Sequence, residues 1–62
     1  MLNEFDSVIA LVPLNGRIKE GANGVVLLVL DEDRQMYEVE FFDELGASVG
    51  VLSVQGEDIR SS

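Results

Sequence analysis

The clearest pattern of hydrophobic and polar positions along the chain is the alternation in residues 36–42, MYEVEFF. Tyr37, Val39 and Phe41 fall on one side of an extended segment, and glutamates occupy the intervening positions. A repeat of two is typical of a strand with one side buried and one side exposed to water. The pattern predicts a half-buried strand whose outer side is acidic.

Other short apolar runs along the chain also indicate strands. The run VVLLVL at 25–30 is apolar on both sides, and turn-forming residues flank each run. No segment repeats apolar residues at helical spacing over three turns, so no long helix is expected. The predicted strands are 8–12, 25–30, 36–42, 47–54 and 59–60, with one helical turn at 55–58.

Glycines mark the predicted connections between these strands. Residues 14–24 contain three glycines and form a long loop, because glycine tolerates the positive φ that turns require. Gly46 is expected at the positive-φ position of a tight turn over 43–46, and Gly50 at a bulge or bend.

The strand pattern defines a fold class. Short strands with turn signals about every ten residues predict an antiparallel meander. A flat sheet of this length leaves its own apolar side uncovered, so the sheet is expected to curl. We predict one domain over residues 1–62, all-β, a small barrel of about five antiparallel strands.

Two motifs give the chain a family resemblance. A lysine–x–glycine–x–x–glycine step is formed by Lys19, Gly21 and Gly24, and the strand YEVEF follows at 37–41. The chain resembles a family of very small bacterial proteins of unknown function, which implies an SH3-like β-barrel and no established activity. The glycine step is also similar to KOW-type barrels of ribosomal and transcription proteins. The step predicts positive φ at both Gly21 and Gly24, because a turn before the strand requires that backbone conformation.

Composition excludes most catalytic chemistry. The chain has no Cys and no His, which removes disulfides, the usual Zn, Cu and Fe–S ligands, and the partners that activate a nucleophilic serine. The acids at 31–33 lack the spacing of a calcium-binding loop, and the glycines lack that of a phosphate-binding loop. We expect no catalytic activity, no cofactor and no metal.

Charge limits the partners. Twelve acids against four bases give a net charge of −8, which repels nucleic acid and anionic membranes and attracts a basic protein. Residues 1–16 lack the basic segment of a signal peptide. The run at 25–30 falls far short of the roughly 20 residues that span a bilayer. We therefore expect a cytoplasmic protein.

The apolar content exceeds what the inner side of one small sheet holds. Strict alternation in 25–30 puts Val26, Leu28 and Leu30 on the side opposite to that of Val25, Leu27 and Val29. Apolar side chains that remain exposed in a patch mark an interaction site. The predicted partner-binding residues are Leu28, Leu30, Glu38, Glu40, Phe42 and Val51.

Three functions remain open at this point. The leading hypothesis is a non-catalytic protein-binding module, homo-oligomeric, with an antitoxin-like or immunity-like role against a basic enzyme. The alternative is a KOW-like nucleic-acid or ribosome-associated domain that acts through Arg17 and Lys19, although nearby acids oppose it. The third is a structural subunit of a larger complex.

Overall fold

A computed structural model describes residues 2–62. These described residues form five strands and one short 3-10 turn, which confirms the prediction of an all-β fold with about five antiparallel strands. The elements are β1 Ser7–Ala10, β2 Asn23–Asp31, β3 Met36–Phe42, β4 Ser48–Gln55, the 3-10 turn Gly56–Asp58 and β5 Ile59–Ser61.

All five strands belong to one antiparallel sheet, in the order β4-β3-β2-β1-β5. The sheet wraps around one core, and β1 pairs with both β2 and the last strand of the chain. The first strand was predicted too long. Leu11 and Val12 lie beyond β1, although the N–H of Leu11 still donates to the carbonyl of Asp58 at 2.8 Å, in the register of the β1–β5 pairing.

The core consists of aliphatic and aromatic side chains from every strand. The alternation predicted for β3 is confirmed, because Tyr37, Val39 and Phe41 are buried and the residues between them are half-buried. Residues from other strands and from the β1–β2 loop complete the core: Val8, Ala10, Ile18, Val26, Val54 and Ile59.

Two bulges interrupt the pairing of β2 with β3. Val26 lies opposite Val39, but the next pair is Leu28 with Glu38, so Leu27 is an extra residue. A second register shift follows Val29. Residues paired across strands share a side of the sheet, so Val26 and Val29 both face the core side. The prediction of strict alternation through 25–30 was therefore wrong.

The two glycines of the lysine–glycine step have different physical roles. Gly21 has φ +88°, as expected, whereas Gly24 is not among the positive-φ residues. A Cβ on Gly24 would lie 2.8 Å from Cγ1 of Val39 and 2.9 Å from Cδ1 of Phe41. Space over β3, and not a turn, requires glycine at position 24. The prediction of positive φ there was wrong.

The β3–β4 connection agrees with its prediction. Gly46 has φ +83° at the end of the tight turn. Phe41 pairs with Gly50 and Phe42 with Ser48, so one extra residue forms the predicted bulge beside Gly50, whose φ is +144°. The carboxylate of Asp43 accepts hydrogen bonds from the N–H groups of residues 45 and 47, both at 2.9 Å.

Replacing Asp43 tests the contribution of this turn. We expect Asp43→Ala to lower the free energy of unfolding by about 1 kcal/mol, because two backbone N–H groups lose a charged acceptor and water replaces it. Urea unfolding followed by circular dichroism measures the change. Glu44→Ala removes the neighbouring charge without a hydrogen bond and is expected to change stability by less than about 0.5 kcal/mol.

Candidate functional site

The outer side of β2, β3 and β4 brings together most of the predicted partner-binding residues. Glu40 of β3 lies opposite Val25 on one side and Val51 on the other. Glu38 lies opposite Leu28 on one side and Ser53 on the other. Phe42 follows in the same alternation. We call this surface the acidic–apolar face: Val25, Leu28, Glu38, Glu40, Phe42 and Val51.

Side chains of the acidic–apolar face differ in their exposure. Leu28 and Val51 each keep 47% of their area exposed, and they flank the glutamates from the two neighbouring strands. Glu38 and Glu40 are themselves half-buried, as is Phe42. The surface therefore presents two carboxylates between two aliphatic side chains. This arrangement suits a partner with a positive charge set in an apolar surround.

Leu30 is the predicted residue that lies apart from these rows. It occupies the second bulge of β2, between the pairs of Val29 with Tyr37 and of Asp31 with Met36, and has no direct partner on β3. It is 48% exposed at the end of the strand. Leu30 extends the exposed apolar surface toward the β2–β3 hairpin tip.

No cation within residues 2–62 forms an ion pair with the glutamates of this face. Across residues 2–62, the one ion pair is that of Arg34 with Asp31 at the hairpin tip, at 3.9 Å. Asp31, Asp43 and Asp6 accept hydrogen bonds from nearby backbone N–H groups. Glu38 and Glu40 accept none, so their charges do not stabilise a local turn.

A groove at the end of β3 that is distant from the β2–β3 hairpin contains Arg17 and Lys19, the basic residues of the nucleic-acid hypothesis. It has a volume of about 430 Å³ and lies between the end of the β1–β2 loop and the β3–β4 turn. Arg17 and Lys19 line one wall, and Asp43 and Glu44 line the other. Glu20 also lines it. The mixed charge offers no basic stripe of the kind that binds nucleic-acid phosphates.

Comparison with known proteins identifies the family. A family model described as a domain of unknown function (DUF4926) matches residues 4–61, which include all five strands and both sequence motifs. The chain belongs to the DUF4926 family. No curated protein matches it significantly, and no solved structure does so either. The expectation of a family of unknown function is confirmed.

Sequence reasoning missed one residue of the acidic–apolar face in this DUF4926 domain. Val25 is half-buried opposite Glu40, and this pairing places it on the face. Strict alternation grouped Val25 with Val29, whereas the bulge between them puts Val29 on the core side. No local signal in VVLLVL reveals where the bulge falls. Phe5 and Leu45 are more exposed, at 74% and 94%, but neither lies on a strand of this face.

Within the described residues, the acids do not gather into a group of three or more that could hold a metal ion. In that same part of the chain, no helix is long and apolar enough to cross a bilayer.

Proposed function

We propose that this DUF4926 domain is a non-catalytic protein-binding module whose acidic–apolar face binds a basic protein. One observation supports this most directly. Glu38 and Glu40 lie beside exposed aliphatic side chains, and no Lys or Arg within residues 2–62 forms an ion pair with them. A partner that inserts Lys or Arg between Leu28 and Val51 satisfies both features at once.

The two parts of the face have different roles in binding. Covering the exposed halves of Leu28 and Val51 contributes about 1 kcal/mol each, roughly half of what full burial of such a side chain contributes. The glutamates add less affinity but select the sign of the partner's charge and raise its association rate. The face does not fit a second copy of itself, because Glu38 and Glu40 would then meet like charges.

A concrete form of the proposal is an antitoxin-like or immunity-like protein that covers a basic, nucleic-acid-directed enzyme. The small size and the net charge of −8 support it. The strand order and the single 3-10 turn before β5 are compatible with an SH3-like barrel, which we include in the proposal. A barrel of this kind does not by itself specify a ligand.

The alternative function is nucleic-acid or ribosome binding through the groove that contains Arg17 and Lys19. The two bases on one wall favour it, and the carboxylates of Asp43 and Glu44 on the facing wall oppose it. A role as a structural subunit uses the same surfaces without a transient partner. The experiment that tests the main proposal separates these functions.

Charge reversal on the face is the test. We expect tagged wild-type protein to capture a basic protein in stoichiometric amount from nuclease-treated lysate of its own cells. Glu38→Lys with Glu40→Lys is expected to weaken that capture at least about tenfold, because each reversal replaces attraction with repulsion inside a partly desolvated contact. Quantitative mass spectrometry and titration with the purified partner measure the change.

The matched control applies the same charge change outside the face. Glu32→Lys with Asp33→Lys lies at the exposed β2–β3 hairpin tip and is expected to leave affinity within about threefold at 0.15 M salt, where distant charges are screened. Equal loss in both variants would contradict a specific face. Partners that disappear on nuclease treatment would favour the nucleic-acid function instead.

A further inference from the structure

The edge of the sheet at β4 is open along its whole length. β4 pairs with β3 on one side and is the first strand of the order β4-β3-β2-β1-β5. An edge strand presents backbone N–H and C=O groups that a further strand is able to bind.

The hydrogen bonds of β2 determine the direction of every backbone group in β4. The N–H of Val26 donates to the carbonyl of Asp6 at 3.0 Å, and its carbonyl accepts the N–H of Phe5 at 2.6 Å. The backbone N–H and C=O of Val26 therefore point away from β3. Because Val39 lies opposite Val26, the backbone groups of Val39 point toward β4, where they bond with Leu52.

Alternation from Leu52 then assigns the free groups. Val51, Ser53 and Gln55 direct their N–H and C=O groups away from β3. Within residues 2–62, no backbone or side-chain group bonds to the N–H or C=O of these three residues from the open side. β4 has no further strand beside it in the sheet order, and Val51, Ser53 and Gln55 are exposed residues.

Apart from the bulge beside Gly50, β4 lacks the features that usually protect an edge strand. SVGVLSVQ contains no charged residue and no proline over eight positions, in a chain with sixteen charged residues. The other edge strand, β5, has three residues and carries Arg60. The bulge beside Gly50 ends the regular part of the β4 edge, which leaves 51–55 straight.

We infer that β4 pairs with β4 of a second copy of this chain, antiparallel about a two-fold axis at Ser53. Residue 53 then lies opposite its own copy, and Val51 lies opposite Gln55 of the second copy. Each of the three outward-facing residues meets an outward-facing residue, so every free N–H finds a carbonyl. Leu52 and Val54 also lie opposite each other and extend the inner side of the sheet.

Charge permits this pairing. No charged side chain lies on β4, so no like charges meet across the new contact. The nearest acids on strands are Glu38 and Glu40 of β3, which lie three strand spacings, roughly 14 Å, from their counterparts in the second copy. That separation exceeds the Debye length of about 8 Å at 0.15 M salt.

The inference supplies an interface for the homo-oligomer expected from the sequence, and it uses the backbone edge of β4, whereas the proposed function uses the side chains of the acidic–apolar face. Its failure and the failure of that proposal are therefore distinguishable. A chain that stays monomeric but still captures a basic protein through Glu38 and Glu40 overturns the β4 pairing alone.

Proline at the two-fold position is the test. Ser53→Pro removes an N–H that faces solvent in the monomer, a position where edge strands tolerate proline. We expect wild-type chain to dimerise with a dissociation constant below about 100 µM, within the range of small interfaces. Ser53→Pro is expected to raise that constant about 10- to 100-fold, because both bonds at the axis are lost. Sedimentation equilibrium measures it.

The control is the same substitution on the other edge. Ser61→Pro also replaces a serine of an edge strand, on β5, and is expected to leave dimerisation unchanged. Hydrogen exchange of the wild-type chain does not depend on either variant folding. The Ser53 amide is expected to become protected as concentration rises. A wild-type chain monomeric at about 1 mM, a Ser53→Pro dimer of equal affinity, or an unprotected Ser53 amide in the dimer overturns the inference.

Discussion

Phe41→Ala is expected to remove most of the folding free energy of this domain, whereas Phe42→Ala is expected to leave it folded. Phe41 is fully buried in the core beside Tyr37 and Val39. Truncating a buried phenylalanine costs about 3–5 kcal/mol, and a domain of this length has roughly 3–9 kcal/mol in total. Phe42 is half-buried on the acidic–apolar face, and its truncation costs about 1 kcal/mol.

Urea unfolding of the two variants, followed by far-ultraviolet circular dichroism, measures this difference. The comparison is well matched, because the same side chain is removed at adjacent positions of one strand. Similar losses in both variants would contradict the assignment of the two sides of β3. A larger loss for Phe42→Ala would reverse that assignment and place Glu38 and Glu40 in the core.

Gly24→Ala is expected to lower the free energy of unfolding by about 2–3 kcal/mol. The added methyl group would lie 2.8 Å from Cγ1 of Val39, 2.9 Å from Cδ1 of Phe41 and 3.0 Å from the carbonyl oxygen of Glu40. The carbonyl belongs to a paired strand and both side chains are buried in a close-packed core. Overpacking of this kind forces side chains off their preferred rotamers or shifts the backbone.

Two further variants identify the cause. Asn23→Ala shortens the neighbouring exposed side chain to a methyl group, without adding a Cβ, and is expected to change stability by less than about 0.5 kcal/mol. Gly24→Asn tests backbone conformation, because asparagine tolerates positive φ better than alanine does. We expect asparagine to be worse than alanine. If asparagine is better tolerated in thermal unfolding, a turn requirement and not space governs position 24.

Much of the fold follows from local sequence patterns. The alternation of β3 assigned its buried and exposed sides correctly, because a repeat of two is a direct consequence of strand geometry. Gly46 and Gly50 were assigned correctly because a tight turn and a bulge favour glycine. The single helical turn before the last strand was also predicted.

The errors arose where contacts distant in sequence determine the structure. The bulge at Leu27 depends on how β2 fits β3, and an uninterrupted apolar run contains no sign of it. The clash that fixes Gly24 involves residues 15 or more positions away. The strand order, and therefore the open edge at β4, also depends on pairings between distant segments.

Five of the six predicted partner-binding residues nevertheless lie on one face. The sides of Glu38, Glu40 and Phe42 follow from β3 alone, and Val51 and Leu28 join them through strand pairing. Leu28 was assigned on a strict alternation that the structure does not have. It lies on the face because the bulge brings it opposite Glu38.

The two proposed surfaces meet at Val51. Its side chain lies on the acidic–apolar face, and its backbone groups point out from the edge of β4. Pairing of two β4 strands would join the faces of both copies into one surface with a two-fold axis. A partner with two basic sites would then bind both copies, and the second contact would form at high effective concentration.

Hydroxyl-radical footprinting of the captured complex is the most direct test of whether the acidic–apolar face binds the partner. We expect Leu28 and Val51 to be labelled less in the complex than in the free domain. Phe5 and Leu45, which are exposed elsewhere, should be labelled equally in both. Unchanged labelling of Leu28 and Val51, with protection at Leu45 of the Arg17–Lys19 groove, would contradict binding through the acidic–apolar face.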